Sequence, residues 1–250
     1  MPTIHDLTGP AGKLEALLDE PSGAPRAAVV FAHPLPTHGG TMHTKAVFQG
    51  TKGLVRAGCA VLRFNFRGVG HSAGAFSGGD GEREDFKAAL DYMAARYPSL
   101  TLWAAGFSFG AWVALETGAA DDRVKALIGI APPVTKMGYE FTNTKASTKP
   151  KFFVQGEADD ICPIQDMWKF YGALPEPKEL VVIDMADHLF EGRASEVGEA
   201  LTASHRIVVM AKGRMVKEFD PRTATRDEIM AASGEHETEY HHGNGEGAPQ

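Results

Sequence analysis

The five residues GFSFG at 106–110 set one serine between two glycines, with an apolar run before it and another after it. Glycines at those places let a strand turn sharply into a helix, which leaves the Ser108 hydroxyl presented at the bend. A serine hydroxyl is a poor nucleophile at neutral pH. It needs a base, a carboxylate to orient that base, and donors for the oxyanion formed when it attacks a carbonyl. Two downstream stretches hold the missing residue types: GEADDICP (156–163) offers Asp159 and Asp160, and MADHLFEG (185–192) offers His188. Of ten histidines, His188 is the one that stands just past a strand-like run after the acid, whereas His205 begins a new run. The chemistry these residues could do together is acyl transfer by way of a serine.

Such groups must be carried to one place, and the chain has the elements to do it. Apolar runs at 27–32, 59–66, 100–107, 124–131, 151–157 and 179–184 read as strands, several of them apolar on both faces, as strands covered on two sides would be. Helix-like stretches near 43–57, 81–97, 109–119, 164–174 and 190–203 lie between them. Strand and helix in alternation predict an α/β fold with a mostly parallel sheet flanked by helices. The acid and the base then lie just past strand carboxyl ends, where the sites of open α/β sheets collect. The opening segment around KLEALL reads as a short antiparallel hairpin added to a sheet edge, and residues 132–150 as an irregular stretch too short for a lid domain.

These features resemble the α/β-hydrolase superfamily, with GFSFG as its nucleophile elbow. AHPLPTHGGTMHTK (32–45), LRFNFRGVGHSAG (62–74) and GDGEREDF (79–86) are further similar to a group of small, lidless bacterial hydrolases. The resemblance covers about residues 5–203. In that group the acid is commonly the Asp three residues after the loop Gly, with a Pro four residues later, which selects Asp159 through Gly156 and Pro163. Asp160 remains the alternative, because two neighbouring carboxylates cannot be told apart by order alone.

The oxyanion donors expected are the N–H of Phe109, next after the nucleophile, and one from the loop after strand 27–32. There Pro34 and Pro36 have no N–H, which leaves Leu35. His33 reads as a histidine that organises this loop by hydrogen bonding rather than as a second base. The glycines of RFNFRGVGHSAG miss the dinucleotide spacing by one residue, and no phosphate-loop lysine pattern occurs. Glu82, Glu84 and Asp85 suit a helix N-terminus and not a metal. Phe107, Trp112, Met137, Tyr139, Phe141 and Phe190 are the candidates for apolar pocket walls, with plain core packing the alternative for each. Neither cofactor nor metal is expected.

A net charge of −7 with no clustered excess of Lys and Arg argues against a nucleic-acid partner. The absence of any apolar run of about 18 residues argues against a membrane span, so a cytoplasmic protein is expected. Cys59 and Cys162 form no disulfide framework or zinc pattern and read as reduced thiols. Residues 204–234 resemble the C-terminal end of ATP-binding subunits of sugar ABC transporters: a hairpin around a Lys-Gly turn, then a short helix, with 235–250 a disordered polar tail. The domain division expected is therefore 1–203, 204–234 and 235–250. An exposed hairpin needs a partner surface, and a homodimer through it is expected. The resemblance implies a serine esterase of carboxylesterase type, cleaving small-molecule esters of short-acyl or aromatic acids. The same triad would also serve a thioesterase, lactonase or amidase. A catalytically idle interaction module is the reading from a different class.

Overall fold

The computed structural model describes residues 3–135, 138–203, 207–211 and 214–219, which divide into two units, 1–202 and 203–250. In the first unit the strands are β1 (Thr3–Ile4), β2 (Thr8–Gly9), β3 (Gly12–Lys13), β4 (Ala16–Asp19), β5 (Ala27–Ala32), β6 (Cys59–Phe64), β7 (Thr101–Phe107), β8 (Val124–Ile130), β9 (Lys151–Gly156) and β10 (Lys178–Ile183). The helices are α1 (Lys45–Arg56), α2 (Asp80–Arg96), α3 (Phe109–Ala120), α4 (Thr142–Ala146), α5 (Ile164–Gly172) and α6 (Ala194–Ala203). Eight strands form one sheet in the order β1-β4-β6-β5-β7-β8-β9-β10. β1 and β4 are antiparallel, as is β4 against β6, and every other pair is parallel. The opening segment thus adds two strands to the β6 edge, as expected, while β2 and β3 pair separately.

Alternation along the central strands explains why their sequences are apolar throughout. In β5, Ala28, Val30 and Ala32 join the core on one face, and Ala27, Val29 and Phe31 that on the other. α2, α3 and α5 cover the first face through residues such as Phe86, Leu115 and Phe170; α1 and α6 cover the second through Val47, Leu54, Val197 and Leu201. Each such large side chain removed from water contributes about 1.5–3 kcal/mol. α3 buries residues 109–118 without a break, so the helix that starts at Ser108 is anchored in the centre of the molecule.

The 132–150 stretch is not wholly irregular: it contains α4. Four polar residues and an alanine, TNTKA, form that turn because the buried Glu116 of α3 caps it. Its Oε1 accepts from the Thr144 N–H (2.9 Å) and the Thr144 hydroxyl (2.7 Å), and its Oε2 from the Asn143 N–H (3.1 Å). In the second unit, β11 (Ile207–Ala211) and β12 (Arg214–Phe219) pair antiparallel, with a register shift between Val209 and Met210. The turn between them, the expected helix and the tail lie outside the described residues. No helix among the described residues is long and apolar enough to cross a membrane.

Candidate active site

The parallel strands end on one edge of the sheet, and the loops leaving β5, β7, β9 and β10 carry Leu35, Ser108, Asp159 and His188. Ser108 has φ 53° and ψ −120°, a conformation costly for a residue with a Cβ, immediately before the first residue of α3. Both flanking glycines are required by space. A Cβ on Gly106 would stand 2.0 Å from the Gly110 carbonyl oxygen, and one on Gly110 would stand 2.4 Å from the His33 carbonyl oxygen. The Ser108 N–H donates to Ile130 O of β8 at 2.8 Å, and its carbonyl accepts from Ala111 and Trp112. The strained residue is thereby fixed from both sides.

The hydroxyl meets the imidazole: Ser108 Oγ lies 2.9 Å from His188 Nε2, and His188 Nδ1 donates to Asp159 Oδ2 at 2.8 Å. Phe107 packs against the imidazole with ring centroids 5.5 Å apart, and Phe190 packs behind Phe107. Asp159 is buried and held by four donors. Oδ1 accepts from the N–H groups of Ile161 (2.9 Å) and Cys162 (2.7 Å); Oδ2 accepts from Gln155 Nε2 (2.9 Å) as well as from His188. Asp160 is exposed. Of the two neighbouring carboxylates, it is therefore Asp159 that faces the His188 imidazole.

The N–H groups of Leu35 and Phe109 donate to no group among the described residues, and both residues border the cleft beside Ser108. Their loop is braced from below. His33 Nδ1 donates to Pro34 O (2.7 Å), and its Nε2 accepts from the Phe66 N–H (3.1 Å), so both ring nitrogens are engaged. Burial pushes the His33 imidazole down to about 4, partly opposed by its bond to Pro34 O, which keeps it neutral. Further along the loop, Met42 N–H donates to Asn65 Oδ1 (2.9 Å), and its carbonyl accepts from the buried Arg63, which also pairs with Asp19. Arg67 of the Gly-rich turn grips Asp85 of α2 in a bidentate pair (2.9 and 2.7 Å). The three sequence stretches beyond the elbow thus form one hydrogen-bonded scaffold.

The cleft above Ser108 has a volume of about 490 Å3. Its apolar lining is Pro34, Leu35, Phe109, Pro133, Tyr139, Ile161 and Leu189, and no Asp, Glu, Lys or Arg among the described residues lines it. Of the expected walls only Tyr139 does so. Trp112 stacks against Tyr139 (4.5 Å), Phe141 packs on Phe170, and Phe107 and Phe190 are buried behind His188, while Met137 lies outside the described residues. For these rings the core-packing alternative holds, because the same apolar character serves wall and core. Gln155 was missed, although a polar residue directly after the apolar run FFV, four positions before the acid, is a readable signal.

One group of donors among the described residues could ligate a metal: Asp159, Cys162 and His188, whose ligand atoms lie within 4.8 Å of one another. Asp159 and His188 already satisfy each other there.

Known proteins share this fold. The family model described as serine aminopeptidase, S33, matches residues 23–146. The uncharacterized protein RP471 of Rickettsia prowazekii is 33% identical over 208 residues, covering 80% of this chain and 87% of its own. An alpha-beta serine hydrolase homologue from Coxiella burnetii is 37% identical with a TM-score of 0.76, covering 81% of this chain and 96% of its own. XC6422 from Xanthomonas campestris, an α/β serine hydrolase without a lid, is 36% identical with a TM-score of 0.74, covering 80% of this chain and 91% of its own. With that identity over nearly the whole of these relatives, and with the fold and sheet order already described, the chain belongs to the lidless α/β serine hydrolases.

Proposed function

We propose that the protein hydrolyses carboxylic esters of small molecules through an acyl-enzyme, with Ser108 as nucleophile, His188 as base and acid, and Asp159 as the orienting carboxylate. The observation that carries this reading is the unbroken chain of two hydrogen bonds, 2.9 and 2.8 Å, from Ser108 Oγ through His188 to Asp159. As Oγ attacks the ester carbonyl, His188 Nε2 takes the hydroxyl proton, and Asp159 stabilises the imidazolium through Nδ1–H. The carbonyl oxygen becomes an oxyanion that the N–H groups of Leu35 and Phe109 receive. Each such donor is worth about 3–4 kcal/mol of barrier. The C–O bond then breaks, and Nε2–H protonates the departing alkoxide. Water enters, gives its proton to Nε2 and attacks the acyl carbon. Collapse of the second oxyanion returns the proton to Ser108 Oγ and frees the acid.

The cleft supports esters over aminopeptidase substrates. A peptide N-terminus carries an ammonium that needs a carboxylate partner when it leaves water, and the described lining supplies none. Burial raises the Tyr139 phenol, so it too stays neutral. We place the enzyme in the cytoplasm, as a dimer joined through its C-terminal hairpin. A fluorophosphonate probe tests the central reading: wild type should label and Ser108→Ala should not. A panel of p-nitrophenyl esters beside acyl thioesters and aminoacyl anilides should show turnover of the esters first. Folded wild type that neither labels nor hydrolyses any of them would establish the idle module instead.

A further inference from the structure

We infer that Ile161 and Leu189 form the seat of the leaving alcohol, and that the substrates are therefore esters whose alcohol is apolar and uncharged. The inference rests on the esterase reading above and adds the side of the substrate that reading leaves open. In acyl transfer the alkoxide must collect its proton from His188 Nε2, so the alcohol lies on the imidazole side of the scissile bond. Two cleft-lining side chains are carried by the segments that hold the imidazole. Leu189 follows His188 in the chain, and Ile161 is fixed by its own N–H on Asp159 Oδ1 at 2.9 Å.

These two side chains are unusual for their exposure. Among the described residues five large apolar side chains are exposed, and Ile161 (41%) and Leu189 (57%) are two of them, both bordering this cleft. Trp168, Val182 and Met185 are the other three and do not line the cleft; at Ile161 and Leu189 the apolar area lies beside the proton donor, where a ligand can cover it. The described lining offers no carboxylate for a cationic alcohol and no Lys or Arg for a phosphorylated one. A polyol laid on Ile161 and Leu189 would surrender its hydration to hydrocarbon there, the polar side chains of the cleft including His38, Thr44, Ser108 and His188. An alkyl or aryl alcohol loses nothing there.

A pair of isosteres isolates the effect. Butyrylcholine and 3,3-dimethylbutyl butyrate share an acyl group and the shape of the alcohol and differ in charge. Wild type should favour the neutral ester in kcat/KM by about tenfold or more, and the paired variant Ile161→Gln with Leu189→Gln should bring that ratio toward one. Both positions are partly solvated, so the fold should tolerate glutamine; each single variant should shift the ratio by part of the amount. Because both esters give the same butyryl-enzyme, kcat limited by deacylation should stay equal between them while kcat/KM separates. A wild-type ratio near one, or a ratio untouched by the paired variant while both esters turn over, overturns the alcohol seat and leaves the esterase reading intact. A change of oligomeric state in the variant without a change of ratio assigns the two residues to an interface and also overturns it. Failure of both esters together with failure of fluorophosphonate labelling overturns the esterase reading and this inference together.

Discussion

Gln155 is the residue through which the support of the acid can be weighed separately from the acid itself. Its side chain is fully buried on β9. Nε2 donates to Asp159 Oδ2 (2.9 Å) and to Cys162 O (2.7 Å), while Oε1 is buried with no hydrogen-bond partner among the described residues. Gln155→Met keeps the volume and removes all three polar features at once. Losing a bond to a charged oxygen costs about 2 kcal/mol and losing the bond to Cys162 O about 1, whereas removing a buried orphan acceptor returns about 1–3 kcal/mol. The net change in stability should therefore stay within about 2 kcal/mol. Activity should respond differently. Asp159 keeps His188 and two backbone donors but loses the lateral restraint on the oxygen that holds the imidazole. If about 1.4 kcal/mol of that restraint acts in the transition state, kcat falls about tenfold with KM little changed. Urea denaturation and steady-state ester hydrolysis on the same preparation measure both quantities. Gln155→Glu should be worse than Met, since it sets a second carboxyl against Asp159 and one of the two must then hold a proton. Undiminished kcat in Gln155→Met, or a loss of more than about 4 kcal/mol of stability, would refute the division made here between positioning and folding.

The two neighbouring carboxylates should separate sharply: Asp159→Asn should lower kcat/KM by about a thousandfold or more, and Asp160→Asn, at an exposed position, by less than about threefold. His33 gives a pH dependence of stability. Its native value of about 4 lies below the 6.5 of the unfolded chain, so the unfolded state binds a proton the native state refuses. Stability from this group is complete above 6.5, declines as pH falls toward 4, and should drop by about 3 kcal/mol in all. Urea midpoints from pH 7.5 to 4 should show this slope in wild type and most of it missing in His33→Gln; equal slopes would remove His33 as its source. A chain ended after residue 203 should elute from a size-exclusion column as a monomer if the hairpin joins two copies, and an unchanged elution volume would discard that role.

Local pattern revealed central strands such as β5 because a parallel strand buried on both faces is apolar throughout, and helices such as α1 because one face is covered, while α3 is buried all round. Boundaries shifted by one or two residues in most elements, and by four at the start of α6, where hydrogen bonding, not hydrophobicity, ends an element. Asn65 and Phe66 continue the apolar look of β6, yet Asn65 donates its own N–H to Glu15 O and spends its side chain on Met42 and Glu15. α4 was invisible for a stronger reason. Its polar residues have no helical signature, and the carboxylate that caps it belongs to Glu116, 27 and 28 positions earlier in the chain. A tertiary partner supplies what the local sequence lacks.

The site divides the same way, between residues whose chemistry announces them and residues whose job is set by where the backbone points. Ser108, Asp159 and His188, which lie in one hydrogen-bonded chain, could be singled out by type and order because few side chains suit the proposed roles. Four described residues other than glycine have positive φ: Ser108 (53°), Ala131 (43°), Met185 (54°) and Phe190 (54°). All four follow the carboxyl ends of β7, β8 or β10. Each such conformation costs on the order of 1–3 kcal/mol and persists only where its surroundings over-determine it. At Ser108 the flanking glycines betray the bend. At Ala131, Met185 and Phe190 nothing does, since alanine, methionine and phenylalanine carry no preference for that region. Ala131 is held by its N–H on Val154 O (2.8 Å) and Phe190 by its N–H on Asp187 O (3.1 Å) and its burial against Phe107. The loop that presents His188 is thus bounded on both sides by strained residues, and the rigid sheet beneath it is what sustains them. Loops able to relax would let the imidazole drift from the 2.9 Å contact on which the proposed proton transfer depends.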